Sequence, residues 1–331
     1  MTTAMPEMGP VAPPAPEDLL AARQFIASSY PRTPLRPLHE TALAGGRELY
    51  LKCEDEAEIK SFKGRGALWR LACLGERNAR NGVITASTGN HGQGVAYAAS
   101  RIGVRSVVVV PTGSSPLKMD RIRGFGAELR VSGADIGEAS QAAREAALAE
   151  NLVYVEDGED PELMAGAATV GWEILEDLPT AQAIVVPVGG GNLIAGVALA
   201  AKRLKPSITI IGVQSEAAPA VVRSWELKRL VEMPCATFAG GLATPFPGKL
   251  AFQVIQELVD EMYLVSEAEL RAEIRHALDT RATLIEGAAA APFAALRRYG
   301  AAWPTRTVLI QSGGNLALAE LEWVLSGEAE G

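Results

Sequence analysis

Short apolar runs alternate with helical patterns over most of this chain. From residue 82 the pattern predicts a strand over 83–86, a helix over 91–101, a strand over 106–111 and a helix over 117–125. A strand over 128–131, a helix over 136–150 and a strand over 152–155 follow. Short apolar runs bounded by turn residues fit strands buried on both faces, whereas apolar residues recurring every third or fourth position fit amphipathic helices. The alternation continues with a helix over 161–175, a strand over 183–188, a helix over 193–204 and a strand over 209–213. A less regular stretch holding Pro234, Pro245 and Pro247 then precedes a strand over 261–265, helices over 267–281 and 287–299, and a last strand over 307–311.

The first eighty residues are less regular. They predict a helix over 18–29 stopped by Pro31, a paired-strand region ending at 48–52, and a helix over 67–80 with Leu68, Leu71, Ala72 and Leu74 on one face. Strands alternating with helices imply right-handed βαβ units, hence an α/β fold of parallel-rich open sheets with helices on both faces. Residues 82–157 form the expected small domain. Residues 17–81 together with 158–331 form a discontinuous large domain, and the Pro- and Ala-rich residues 1–16 form a loose arm. A cleft between the two lobes is the expected ligand site.

Composition narrows the function. Of 331 residues, 31 are basic and 39 acidic, a net charge of −8 that argues against nucleic acid, which demands a concentrated basic face. Cys53, Cys73 and Cys235 show no CxxC spacing, and His39, His91 and His276 are scattered, so neither a disulfide framework nor a metal centre is expected. No apolar run approaches bilayer length and the start lacks the pattern of a signal peptide. A soluble, cytoplasmic protein is expected.

Three strands run into glycine-rich junctions: ITASTGNHGQG over 84–94, VVPVGGGNLIAG over 185–196 and VLIQSGGNLALA over 308–319. In an α/β protein such junctions lie at the carboxyl edge of a parallel sheet, where ligands bind. Gly189, Gly190, Gly191 and Asn192, between an apolar strand and a helix, suit an oxyanion, because glycines let backbone N–H groups converge and the helix dipole favours negative charge. Gly241–Lys249 ends in Gly-Lys but has the wrong spacing for a P-loop, and Gly89, Gly92 and Gly94 reverse the dinucleotide order. Lys63 follows Phe62 and precedes Gly64 and Gly66. Buried in a pocket beside a phosphate site, its amine is a candidate nucleophile for a carbonyl cofactor.

These motifs, in this order, resemble fold type II pyridoxal-phosphate enzymes, the two-lobed, tryptophan synthase β-like fold, and within it the serine/threonine dehydratases and serine racemases. The resemblance implies pyridoxal 5'-phosphate as cofactor, with SFKGRGA carrying the Schiff-base lysine, Lys63. It implies Asn90 at the ring hydroxyl, Ser87, Thr88, Asn90 and His91 around the substrate carboxylate, and Gly189 to Asn192 around the phosphate. Ser312 would meet the pyridine nitrogen, Phe62 and Gly241 the ring faces, and Glu286 would lie near the cofactor. The implied reaction is α,β-elimination of a β-hydroxy amino acid to a 2-oxo acid and ammonia, in a homodimer. Racemisation, β-replacement and a non-catalytic binding protein of this fold are the rival readings.

Several positions depart from the family pattern. Thr88 stands where racemases have a serine, which favours elimination, and Gln214 and Ala220 replace carboxylates that bind a cation in relatives. Asn192 replaces a fourth glycine, and Gly240, in the segment 238–246 expected to line the side-chain end of the pocket, replaces an aspartate. The chain ends soon after SGGN, so no C-terminal regulatory domain is expected.

Overall fold

The computed structural model describes residues 12–40, 45–78 and 80–326; most of the expected N-terminal arm lies outside them. Helix α1 (Pro16–Ser29) leads to β1 (Leu35–Pro37) and β2 (Glu48–Cys53), and α2 (Lys63–Asn78) follows. Next come β3 (Val83–Ala86), α3 (Asn90–Ile102), β4 (Ser106–Val110), α4 (Pro116–Gly124), β5 (Glu128–Val131), α5 (Ile136–Glu150) and β6 (Val153–Tyr154). The rest runs α6 (Pro161–Asp177), β7 (Ala183–Pro187), α7 (Asn192–Leu204), β8 (Thr209–Ser215), α8 (Ala220–Leu227), α9 (Lys249–Leu258) and β9 (Glu261–Val265). It closes with α10 (Glu267–Arg281), α11 (Gly287–Tyr299), β10 (Arg306–Gln311) and α12 (Leu318–Ser326).

Two sheets result. One has the order β1-β2-β10-β7-β8-β9, parallel except for the β1–β2 pair; the other is β5-β4-β3-β6 and wholly parallel. Strand β4 is Ser-Val-Val-Val-Val with every residue buried, as a central strand covered on both faces requires. The core of the larger sheet splits into two layers. On one side Val185, Ile211 and Leu309 pack under α10 and α11; on the other, Ile184, Val186 and Ile310 pack under α6, α7 and α9.

The structure moves some expected boundaries. Helix α2 begins at Lys63, four residues before the apolar stripe, and turns sharply at Gly75, whose φ is +65°. Lys63 therefore opens a helix rather than sitting in an irregular loop. Helices α8 and α9 occupy the stretch read as irregular, because its prolines lie outside them and apolar residues such as Val221, Leu250 and Ile255 bury one face of each. Gly313 and Gly314 do not run directly into a helix: Ser61 bridges Gly313, Gly314 N–H donates to Lys60 O, and α12 starts only at Leu318. Gln214 accepts hydrogen bonds from the N–H groups of Val221 and Val222 and so holds the first turn of α8. Lys249 starts α9, and its N–H donates to Glu159 Oε1 at 2.6 Å. Among the described residues no helix is long and apolar enough to cross a membrane.

Candidate active site

The carboxyl ends of β3, β7 and β10 and the start of α2 face one cavity of about 540 Å³. Phe62, Lys63, Ser87, Thr88, Asn90, His91, Gly189 to Asn192, Gly241, Glu286 and Ser312 all line it. The residues that the resemblance assigns to cofactor and substrate thus share one space, although Lys63 and Ser312 are far apart in the chain.

Lys63 is fixed from behind. Two residues on, the fully buried Arg65 donates to Glu54 Oε2 at 2.8 Å and to Glu173 Oε1 at 2.7 Å, while Lys52 Nζ reaches Glu173 Oε2 at 2.5 Å and Thr33 O at 2.7 Å. Two cations and two carboxylates compensate one another, which is what makes burying four charges tolerable. Small residues let neighbouring helices close in: a Cβ on Gly166 of α6 would stand 2.5 Å from Gly66 Cα, and one on Gly94 of α3 would stand 3.1 Å from Lys63 O. Lys63 Nζ lies 5.5 Å from the centre of the Phe62 ring.

The glycine loop has the geometry of an anion cradle. Gly191, at φ +105°, precedes the first turn of α7, and a Cβ on Gly189 would collide with Gly241 O at 2.4 Å. Only glycine allows both the turn and this approach, and the helix start then presents unpaired N–H groups. Buried Asn192 has its Oδ1 without a partner among the described residues. A buried acceptor left unpaired costs stability, so Asn192 is suited to a donor brought by a ligand. Ser312, 2% exposed, ends β10 at the floor.

Asn90 ties the two sheets together. Its Nδ2 donates to Glu286 at 2.9 and 3.1 Å, and its Oδ1 accepts from Asn315 Nδ2 at 2.7 Å. Arg121 donates to Asn315, and Lys118 pairs with Glu320 at 3.0 Å. Burial pushes the Glu286 carboxyl up, with the Asn90 amide pulling the other way. Glu286 stands at the N-cap of α11 but makes no side-chain cap hydrogen bond, its carboxylate turning to Asn90 instead.

Asp157 was not legible in the sequence. It sits in the run Glu156-Asp157-Gly158-Glu159-Asp160, which reads as a solvated acidic loop, yet Lys63 Nζ donates to both its oxygens at 2.5 and 2.7 Å. Burial opposes ionisation there, but Lys63 and, after it, His91 hold the Asp157 carboxyl down at about 2. His91 is itself held below its ordinary value by burial, and with Nε2 donating to Val155 O at 3.3 Å its Nδ1 is the ring atom turned to Asp157. Asn315 was quoted within SGGN but given no role, since only the fold brings it to Asn90.

An amine, an anion cradle and a buried hydroxyl around one cavity are what a phosphorylated, amine-reactive cofactor demands. The chain belongs to the pyridoxal-phosphate dependent enzyme family, whose pattern matches residues 26–314. It is 39% identical over 296 residues to an L-threonine ammonia-lyase of Geobacter sulfurreducens, covering 89% of this chain and 74% of that protein. Among solved structures, the processed form of threonine deaminase isoform 2 from Solanum lycopersicum superposes with a TM-score of 0.87 at 32% identity, covering 96% of each chain. Maize serine racemase does so with a TM-score of 0.87 at 29% identity, covering 93% of this chain and 95% of that one.

Proposed function

We propose that this protein eliminates the β-hydroxyl of a β-hydroxy amino acid, releasing a 2-oxo acid and ammonia. The convergence of Lys63, the Gly189–Gly191 loop and Ser312 on one cavity carries the reading. Similarity to threonine ammonia-lyases and deaminases supports the reaction class and threonine as the first substrate to try.

Pyridoxal phosphate, when bound, supplies an electron sink that makes the α-proton of an attached amino acid removable. In this reading Lys63 Nζ would hold the cofactor through its carbonyl carbon and, when freed, would be the base for the α-proton. The N–H groups of the glycine loop and the start of α7 hold the phosphate. Phe62 would cover one ring face, Gly241 would leave room at the other, and Asn90, itself held by Glu286 and Asn315, would meet the ring hydroxyl. Ser312 offers the ring nitrogen a neutral hydroxyl rather than a carboxylate, which withholds full protonation there and favours loss of a β-substituent over transamination. Ser87, Thr88, Asn90 and His91, in the loop from β3 and the first turn of α3, hold the substrate carboxylate, His91 through its backbone N–H because its Nε2–H is taken by Val155 O. Loss of the α-proton and of the β-hydroxyl as water, with Lys63 Nζ retaking its point of attachment, would free an enamine that takes up water in solution to give the 2-oxo acid and ammonia.

The same reading takes 17–81 with 158–331 as the large domain and 82–157 as the small one, in a cytoplasmic homodimer. Its test is an absorbance scan of purified protein with and without Lys63→Ala, followed by 2-oxo acid assays on serine, threonine and bulkier β-hydroxy amino acids. Lysine-dependent cofactor absorbance with oxo-acid release is expected. Absorbance without release from any of them would reject elimination in favour of racemisation or β-replacement.

A further inference from the structure

The loop that carries Asp157 is anchored two residues earlier, at Val155. Val155 N–H donates to Ile84 O at 2.9 Å, and Val155 O in turn accepts from Thr85 Oγ1 at 2.7 Å and from His91 Nε2. Gly158, at φ +117°, then turns the chain away, so Asp157 is presented from a fixed backbone. Its side chain keeps 42% of its surface exposed, toward the cavity that it lines. His91 Nδ1 stands 3.8 Å from Asp157 Oδ1. The Asp157 carboxylate therefore faces the point now taken by Lys63 Nζ, which donates to both its oxygens.

We infer that Asp157 selects the substrate by charge, so that the site takes a β-substituted amino acid with a neutral or cationic side chain and excludes one whose side chain carries a carboxylate. The inference rests on the reading of this cavity as the site of β-elimination. A substrate amine must replace Nζ at the same carbonyl carbon, so a group bonded to Nζ lies beside the substituents of the substrate's α-carbon. The other charges around the cavity do not offset Asp157. Lys118 is paired with Glu320, Glu156 is paired with Arg144, and Glu286 adds a further carboxyl. None of the described lining residues is an arginine, the side chain best suited to a second carboxylate. The substrate's own α-carboxylate is met by neutral donors, and a second one would stand against Asp157 at low local dielectric.

The test is binding of three amino acids that lack a β leaving group, L-2-aminobutyrate, L-aspartate and L-2,4-diaminobutyrate, to the cofactor-loaded protein, followed by the change in cofactor absorbance. The wild type should bind the diamino acid at least about tenfold more tightly than aspartate, with aminobutyrate between them. Asp157→Asn, which keeps the shape, and Asp157→Ser should each compress that spread to about threefold or less, through aspartate binding better and the diamino acid worse. Aspartate binding the wild type as well as aminobutyrate, or a spread that survives both substitutions, overturns the inference. Because these ligands cannot eliminate, the charge order stands or falls separately from the elimination reading, which 2-oxo acid release decides.

Discussion

Lys63 acquires its surroundings from residues with no mark of function in the sequence. The ion pair with Asp157 gives a pH signature. Folding lowers the Asp157 pKa from 3.8 to about 2, so the unfolded chain takes up the proton first. The contribution is complete above about pH 4 and is lost as pH falls toward about 2. In cofactor-free protein, Asp157→Asn should lower stability at neutral pH by a few tenths to about 1 kcal/mol, since the side chain is more than one-third exposed. Urea midpoints of the two proteins should converge as the pH approaches about 2; a constant gap across that range would show that the pair is not the cause. Arg65 lies at the other extreme. Arg65→Met leaves Glu54 and Glu173 without their main partner in a dry interior and should cost about 3–5 kcal/mol, read as a fall in the urea midpoint.

At the scale of elements, the helix that starts with Lys63 is positioned by a backbone contact. Gly66 and Gly166 let α2 and α6 cross with no side chain between them. Gly166→Ala should push α2 outward, cost about 1–3 kcal/mol, and increase the cofactor's dissociation constant because Lys63 moves with the helix. Equilibrium dialysis of the cofactor, set beside thermal unfolding, separates a displaced lysine from mere instability. Gly189 makes a similar demand where the glycine loop meets Gly241 O, and Gly189→Ala should abolish cofactor retention while leaving β7 and α7 folded, as judged by circular dichroism.

At the scale of the whole molecule, side chains tie the two sheets together: Asn90, which opens α3 after β3 of the smaller sheet, bonds Glu286 and Asn315, which belong with the larger. Asn90→Ala would strand the Glu286 carboxyl without its donor, at a cost of about 1–3 kcal/mol. It should also raise hydrogen exchange at the start of α3 more than in β7, which mass spectrometry can resolve. The proposed homodimer predicts sedimentation at twice the chain mass; a monomer that retains the cofactor would remove the dimer from the reading.

Local patterning was enough to determine the strand–helix alternation, the bounds of β3, β5, β9, α5, α10 and α11, and the glycine junctions after β3 and β7, because periodicity and turn chemistry act over a few neighbouring residues; the junction after β10 meets Lys60 and Ser61 before any helix begins. It left α8 and α9 hidden, because in a proline-rich stretch only packing against β8 and β9 and α7 shows which residues are buried. Lys63, Asn90, the glycine loop and Ser312 were legible as motifs, since each needs a local backbone shape that its neighbours spell out. Asp157 and Asn315 were not. An acid in an acidic loop and an asparagine after two glycines become parts of a site only when β6 and β10 bring them to Lys63 and Asn90, and that proximity depends on contacts between residues far apart in the chain.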